Sequence, residues 1–408
     1  MKAVICGAGI AGLGLAQRLG AQGWRVVVVE KAPTPREQGY MIDFWGLGYD
    51  AAELMGALPR LKELSHPVRE WTYVNESGVR VAGLDQRGFL KAQRGRLLTV
   101  PRPHIELAVR ERIGGDVDLR YGRTIASVQD TGEAGGPVRL TLSDGTAEQA
   151  DLLVGADGVH SAVRGMIFGP ERRYLRHLGF HMAAWLFDDP EVHRRLAGRF
   201  CFTDSYGRQL GVYGVGDGRV TAFAVHRTGD PRIPADVRKA LREEYGSLRW
   251  IVPRALGALP AAEDIYYDQM AQIELPRWSR GRVTLLGDAC AAVSPLASQG
   301  ASLALAGGHL LARRLETTGS VQAALAAYER VWRPIVASRQ RGARRGANWF
   351  LPASPAALLI RRAGIRLTGL PGVSDLISAA LGGRPGVPLA RLAGGPETET
   401  LDGVQQIE

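Results

Sequence analysis

Cysteine is scarce in this chain: Cys6, Cys201 and Cys290 are the only three in 408 residues, and they lie far apart. That excludes a disulfide framework and the paired spacings of zinc sites, and it fits a reducing, cytoplasmic setting. Lysine is nearly absent, with five residues. Acid is missing from one long stretch: between Arg330 and Ser374 there are nine arginines and no Asp or Glu. The net charge is +10, so the remainder of the chain carries about +1. The protein is a nearly neutral body with one basic C-terminal segment. A basic amphipathic segment leaves open contact with an anionic membrane surface, but no nucleic-acid motif accompanies it. An uninterrupted membrane-length run is also lacking. Residues 289–312 carry no charged side chain, yet Pro295, Ser298, Gln299, Gly300, Ser302 and His309 break them up, and a spanning helix needs about 20 apolar residues.

What is present is ordinary for a soluble globular protein. Hydrophobic residues make up 45%, charged residues 23% and aromatics 7%, which excludes collagen, coiled coil and disorder. At roughly 150 residues per domain, the length predicts two or three domains. The 52 glycines point to tight turns and close backbone approaches.

Residues 3–6 read as a buried strand, a helix follows from Ile10 to Gln22, and residues 25–30 (RVVVVE) form a second strand: a βαβ unit. Residues 35–50 read as a loop and residues 68–84 as a hairpin. Arg102–Arg112 is helical, with Pro103 suited to its first turn. Short strands fill 117–154, and strand patterns dominate 177–230. A helix at 234–246, a buried strand at 282–287 and a long helix from Gly300 follow, then a helical tail from 325 interrupted by Pro334, Pro352 and Pro355.

Gly7-Ala8-Gly9-Ile10-Ala11-Gly12 is G-x-G-x-x-G between a strand and a helix. Gly7 permits the turn, Gly9 removes a side chain from the path of a pyrophosphate, and Gly12 lets helix and strand approach. The helix start presents unpaired N–H groups to phosphate. Glu30, followed by Lys31, ends the second strand 18 residues after Gly12. An acid there suits the ribose hydroxyls of FAD or NAD and disfavours a 2′-phosphate.

Two later strands repeat the logic. Residues 151–164 run into Asp157-Gly158 and on to Arg164, and residues 283–300 run into Gly287-Asp288, Pro295 and Gly300-Ala301. Together with the N-terminal fingerprint, in this order, they resemble the single-component FAD-dependent aromatic hydroxylases. That group includes the hydroxybenzoate hydroxylases, the tetracycline-modifying monooxygenases and polyketide-tailoring oxygenases, and the likeness covers about residues 1–345. The resemblance implies an α/β architecture: a Rossmann-like FAD-binding domain (1–70, 97–170 and 278–325), an inserted β-sheet substrate domain (71–96 and 171–277), a C-terminal helical segment (326–385) and a tail (386–408).

It also implies roles. Gly7, Gly9, Ile10, Ala11, Gly12, Glu30 and Lys31 would hold the adenosine diphosphate half of FAD. Arg102, in VPRPHIEL, would bond near the pyrophosphate or ribityl chain. Asp157, Gly158 and Arg164 match the Asp-Gly motif linked to FAD and transient NADPH or NADH binding. Gly287 and Asp288 would meet the ribityl region, and Pro295, Gly300 and Ala301 the isoalloxazine ring. Three departures bear on the substrate: Ala291 where the family often has His, Ser298 where it often has Gly, and Ala306-Gly307 in place of an acid pair.

The chemistry the resemblance implies is reduction of FAD by NAD(P)H, reaction with O2 to a flavin C4a-hydroperoxide, and hydroxylation or epoxidation of an aromatic, polyketide or similar apolar substrate. No protein nucleophile or metal is expected. Trp45, Trp185, Phe202, Tyr213 and Phe223 are the candidates for substrate contact, with His181 and His226 the nearest histidines. Alternatives of the same fold are a dehydrogenase or oxidase without oxygen insertion and a non-catalytic carrier. The Trp-x-Trp-x-Ile-Pro motif of flavin halogenases is absent; the nearest string is Trp250-Ile-Val-Pro253.

Overall fold

The computed structural model describes residues 1–35, 39–133, 135–294, 299–367 and 388–394. Val26, Val27, Val28 and Val29 are buried without alternation, because their strand lies inside a sheet covered on both faces. That sheet has the order Ser279–Arg280, Val283–Leu285, Leu152–Gly155, Lys2–Cys6, Arg25–Glu30, Val117–Tyr121. Its pairings are parallel except at the first edge. Helix Ile10–Ala21 packs against it, and helix Gly300–Thr317 packs on that helix. The chain from Leu152 to Gly155 and that from Val283 to Leu285 therefore end beside the Gly7 turn.

Gly7 has φ +109°, and a Cβ there would lie 2.3 Å from the Ala156 carbonyl oxygen. A Cβ at Gly12 would lie 1.9 Å from the Gly7 oxygen. Both positions need glycine for packing of the turn itself. A small antiparallel sheet, Ile125–Asp130, Val138–Leu142 and Ala147–Ala150, adjoins this layer.

The second large sheet has seven strands, in the order Tyr266–Ile273, Leu175–Asp188, Arg219–Arg227, Arg208–Gly214, Phe200–Thr203, Glu70–Val74, Arg80–Asp85. Strand parity sorts its side chains to two faces. Ala183, Trp185, Val212 and Ala222 point to one face and pack under helices Pro190–Leu196, Val237–Tyr245 and Val252–Gly257. Phe202, Tyr213 and Phe223 point to the other. The cross-strand pairs Phe202 with Gly211, and Gly211 with Phe223, place those residues side by side on that second face.

Two local expectations need correction. Residues 35–50 are not all loop: Met41–Trp45 is a strand and Leu47–Leu54 a helix. The strand pairs with Leu97–Pro101, a partner too distant for any local pattern to reveal. Nor does Pro334 break the C-terminal helix, which runs from Val321 to Phe350. Pro334 and Arg333 are exposed while Trp332 and Val336 are buried, so the backbone group that proline frees faces solvent. Ala289–Ala291 end a short helix and Gly300–Ala312 belong to the helix Gly300–Thr317, and no helix among the described residues is long and apolar enough to cross a membrane.

Candidate active site

A cavity lies between the carboxyl ends of the parallel strands and the aromatic face of the seven-stranded sheet. One wall is backbone. Gly9, Ile10 and Ala11 line it, with Gly158, Gly300 and Ala301. A Cβ at Gly9 would meet nothing closer than 3.7 Å, one at Gly158 nothing within 4 Å, and one at Gly300 nothing closer than 3.8 Å. These glycines leave bare peptide towards the cavity. The helices starting at Ile10 and Gly300 have no capping side chain, so their first N–H groups are available to an anionic ligand. A dinucleotide pyrophosphate and a flavin ring fit such a wall.

Arg102 and Asp288 are among the charged side chains that line the cavity. Arg102 Nη2 lies 3.0 Å from Glu106 Oε1. Burial opposes its charge, but Glu106, Tyr40, Tyr266 and Asp288 outweigh burial and hold its pKa above the usual value. Burial raises the Asp288 carboxyl, with Arg102 pulling the other way. Ser294, also on the wall, has φ +130°, a backbone position costly for any side chain with a Cβ.

Other residues of the three motifs sit behind the wall. Glu30 accepts from Ala8 N and Ala32 N, both at 2.9 Å, which ties the strand end to the glycine turn. Lys31 is exposed. Asp157 accepts from Ser161 Oγ and from Val163 N, bracing the start of helix Ala162–Phe168. Burial raises its pKa. Arg164 does not face the cavity. It is fully buried and donates to Ala289 O, Val159 O and Glu171 Oε2, clamping the second motif to the third. Gly287, at φ +61°, lets that third turn approach Ala11, whose Cβ would lie 2.7 Å from a Gly287 Cβ. Pro295 lies outside the described residues.

The opposite wall is aromatic. Of the candidates for substrate contact, Phe202, Tyr213 and Phe223 line it, joined by Trp71, Phe200 and Phe350. Phe200 and Phe202 stack with centroids 4.0 Å apart, and Tyr213 meets Phe200 edge-on at 4.8 Å. Gly211 makes room for the pair, since a Cβ there would lie 2.7 Å from both rings. Tyr40 bridges Phe223 and Tyr266.

Two expected aromatics are elsewhere. Trp185 points to the far face of the sheet, where its Nε1 donates to Ala255 O at 3.1 Å. Trp45 packs edge-on against Phe89 and is not on the cavity wall. His181 and His226 form a cluster with His177, Tyr245 and Tyr267, away from the cavity. Burial pushes His226 down to about 4.

Sequence reading missed Asp43, Thr99, Asp268 and Phe350 on this wall. Thr99 Oγ1 donates to Asp43 Oδ1 at 2.9 Å, and burial pushes the Asp43 carboxyl up to about 6, against that hydrogen bond. Phe200 was legible as the same-face neighbour of Phe202. Asp43 and Phe350 carried no local signal.

A glycine-walled dinucleotide cleft facing an aromatic chamber is the arrangement of a flavoprotein oxidoreductase. The family described as FAD binding domain matches residues 1–341; the chain belongs to it, with FAD as cofactor, as a flavin-dependent monooxygenase. It is 34% identical over 335 residues to an uncharacterised protein of Mycobacterium tuberculosis, covering 78% of this chain and 85% of that one. It is 29% identical over 353 residues to a flavin-dependent monooxygenase from an unknown prokaryotic organism, covering 83% and 87%. Among solved structures, tetracycline destructase Tet(55) superposes with a TM-score of 0.78 at 26% identity, over 95% of this chain and 98% of that one.

Proposed function

We propose that this monooxygenase takes electrons from NADH or NADPH and places one oxygen atom of O2 on an aromatic, polyketide or similar apolar ring, by hydroxylation or epoxidation. The observation that carries this reading is the aromatic wall of Trp71, Phe200, Phe202, Tyr213 and Phe223 facing the bare peptide of Gly9, Gly158 and Gly300. Bound FAD supplies the oxygen activation. The chain supplies position and environment. The Gly9–Gly12 turn and its helix start would hold the pyrophosphate, and Glu30, at the strand end, would face the adenosine ribose. Arg102 and Asp288 would flank the ribityl span. The N–H groups at Gly300 and Ala301 would lie against the flavin ring and favour negative charge there. The aromatic wall would hold a planar, uncharged substrate and keep water away from the reacting carbon.

The test follows the visible spectrum of the purified holoenzyme during anaerobic addition of NADH or NADPH, with and without a panel of phenols, quinones and indoles. One compound should make the flavin bleach much faster, and aerobic turnover of that compound should match oxygen uptake to oxygenated product. Flavin that bleaches with neither nicotinamide would overturn the reductant assignment. Oxygen uptake without oxygenated product would mark a dehydrogenase or oxidase.

A further inference from the structure

A surface helix ordinarily turns its apolar side chains inward and its charges to water. Helix Pro355–Leu367 does the reverse. Its buried residues are Leu358, Arg361 and Ile365. Arg361 is held there by Asp204, which also takes Arg362. With that face fixed inward, the outer one is apolar: Leu359 is 61% exposed, Ile360 66% and Leu367 53%. Ala356 and Ala363 are exposed beside them, so a stripe with helical spacing runs along the helix. Trp349, 40% exposed, extends it from the preceding helix. Gly364 admits this indole, since a Cβ there would lie 2.4 Å from Trp349 Cη2.

Cations border the stripe. On helix Val321–Phe350, Arg345 precedes Trp349 by one turn and Arg341 by a second, which puts them on its side of the helix. Both are exposed, and neither has an ion pair among the described residues. Arg366 is exposed too and donates to the Val81 carbonyl, which leaves its charge uncompensated. No Asp or Glu lies between Arg330 and Ser374. An apolar ridge with an indole at one end and arginines beside it matches the layers of an anionic bilayer surface: acyl chains, an interfacial zone that suits Trp, and lipid phosphates. A second copy of the chain fits less well, because a two-fold contact sets the patch against itself and its arginines against one another. A bilayer yields to a projecting ridge, whereas a rigid protein partner must supply a matching groove.

We propose that this face docks the protein on an anionic lipid bilayer. Leu359, Ile360, Leu367 and Trp349 enter the boundary between headgroups and acyl chains, and Arg341, Arg345 and Arg366 pair with lipid phosphates. Phe350, next to Trp349, lines the cavity, so docking places the chamber beside the lipid phase in which apolar compounds dissolve. The proposal stands independently of the oxygenase reading.

The test is flotation of the FAD-loaded full chain with two kinds of vesicle: phosphatidylcholine alone, and equal parts of phosphatidylcholine and phosphatidylglycerol. The protein should float with the mixed vesicles at low salt, float far less with the neutral ones, and be released by high salt. Leu359→Glu combined with Ile360→Glu should abolish flotation. Arg341→Gln and Arg345→Gln should each weaken binding about fivefold. Bromine-labelled acyl chains should quench tryptophan emission, and Trp349→Phe should remove most of that quenching. Retained flavin absorbance and an unchanged unfolding midpoint identify folded variants, and the lipid and salt comparisons on wild type stand even where a variant does not fold. No flotation with mixed vesicles, equal flotation with neutral ones, flotation that survives the Leu359→Glu and Ile360→Glu change, or quenching untouched by Trp349→Phe would each overturn the proposal. A wild-type dimer in light scattering that the same double change dissociates would give the face to a second copy and overturn it as well.

Discussion

At the scale of single residues, the glycines of the fingerprint divide into two kinds. Gly7 sits at φ +109° and would put a Cβ 2.3 Å from a backbone oxygen, so Gly7→Ala should destabilise the fold by about 2 kcal/mol or more. Gly9 has φ −80°, a conformation open to any residue, and a Cβ there meets nothing closer than 3.7 Å. Gly9→Val should therefore leave the stability of the flavin-free protein nearly unchanged while weakening FAD binding about tenfold or more. Urea unfolding of the apoprotein and fluorescence titration with FAD separate the two. Both positions were legible as a motif, but their different physical roles were not. The motif gives spacing, whereas the role depends on what lies beyond the missing Cβ, and for Gly7 that is Ala156, just past the end of another strand.

At the scale of elements, strand parity decided which aromatics face the cavity. Trp185 and Phe223 both sit in obvious strands, but the register pairs Trp185 with Ala222 and Ala184 with Phe223, which sends the two rings to opposite faces. Alternation shows that two faces exist; only packing shows which face meets the glycine wall of the cavity. The C-terminal helix Pro355–Leu367 is similar. Its sequence leaves its arginines open to solvation, pairing or a membrane surface; Arg361 is 1% exposed, bonds Asp204 Oδ1 at 2.8 Å and lies over the Tyr73 ring at 4.4 Å. Arg362 takes the other oxygen of the same carboxylate. Arg361→Ala would strand part of a buried charge cluster and should cost about 3–5 kcal/mol. Chemical denaturation checks this, and a loss under about 1 kcal/mol would show that the helix does not depend on the pair.

At the scale of the whole molecule, the two large sheets meet through His160. The residue follows the Asp157-Gly158 turn of the parallel layer, and its Nε2 lies 3.2 Å from Asp268 Oδ1 on the edge strand of the seven-stranded sheet. Its Nδ1 lies 3.0 Å from Glu171. Asp268 is the main cause that raises His160 to about 9, with Glu171 adding to it and burial opposing. A folded pKa above the unfolded one means that the contact stabilises fully below about 6.5 and fades as pH rises through about 9. The side chain is half exposed, so the effect is modest. Wild type and His160→Ala should differ in unfolding midpoint at pH 6 and converge above pH 9, and curves that stay parallel across that range would remove His160 from the junction. Taken alone, the sequence determined the βαβ start, the Gly7–Gly12 turn, the acid at Glu30 and the later strand ends at Asp157 and Asp288. Those features follow from contiguous residues and local backbone geometry. Tertiary structure decided that Asp43 and Phe350 reach the chamber, that Trp185 does not, and that Arg164 and Arg361 are buried ties. Each of those outcomes depends on a partner far along the chain, and local periodicity does not encode which distant surface a side chain will meet.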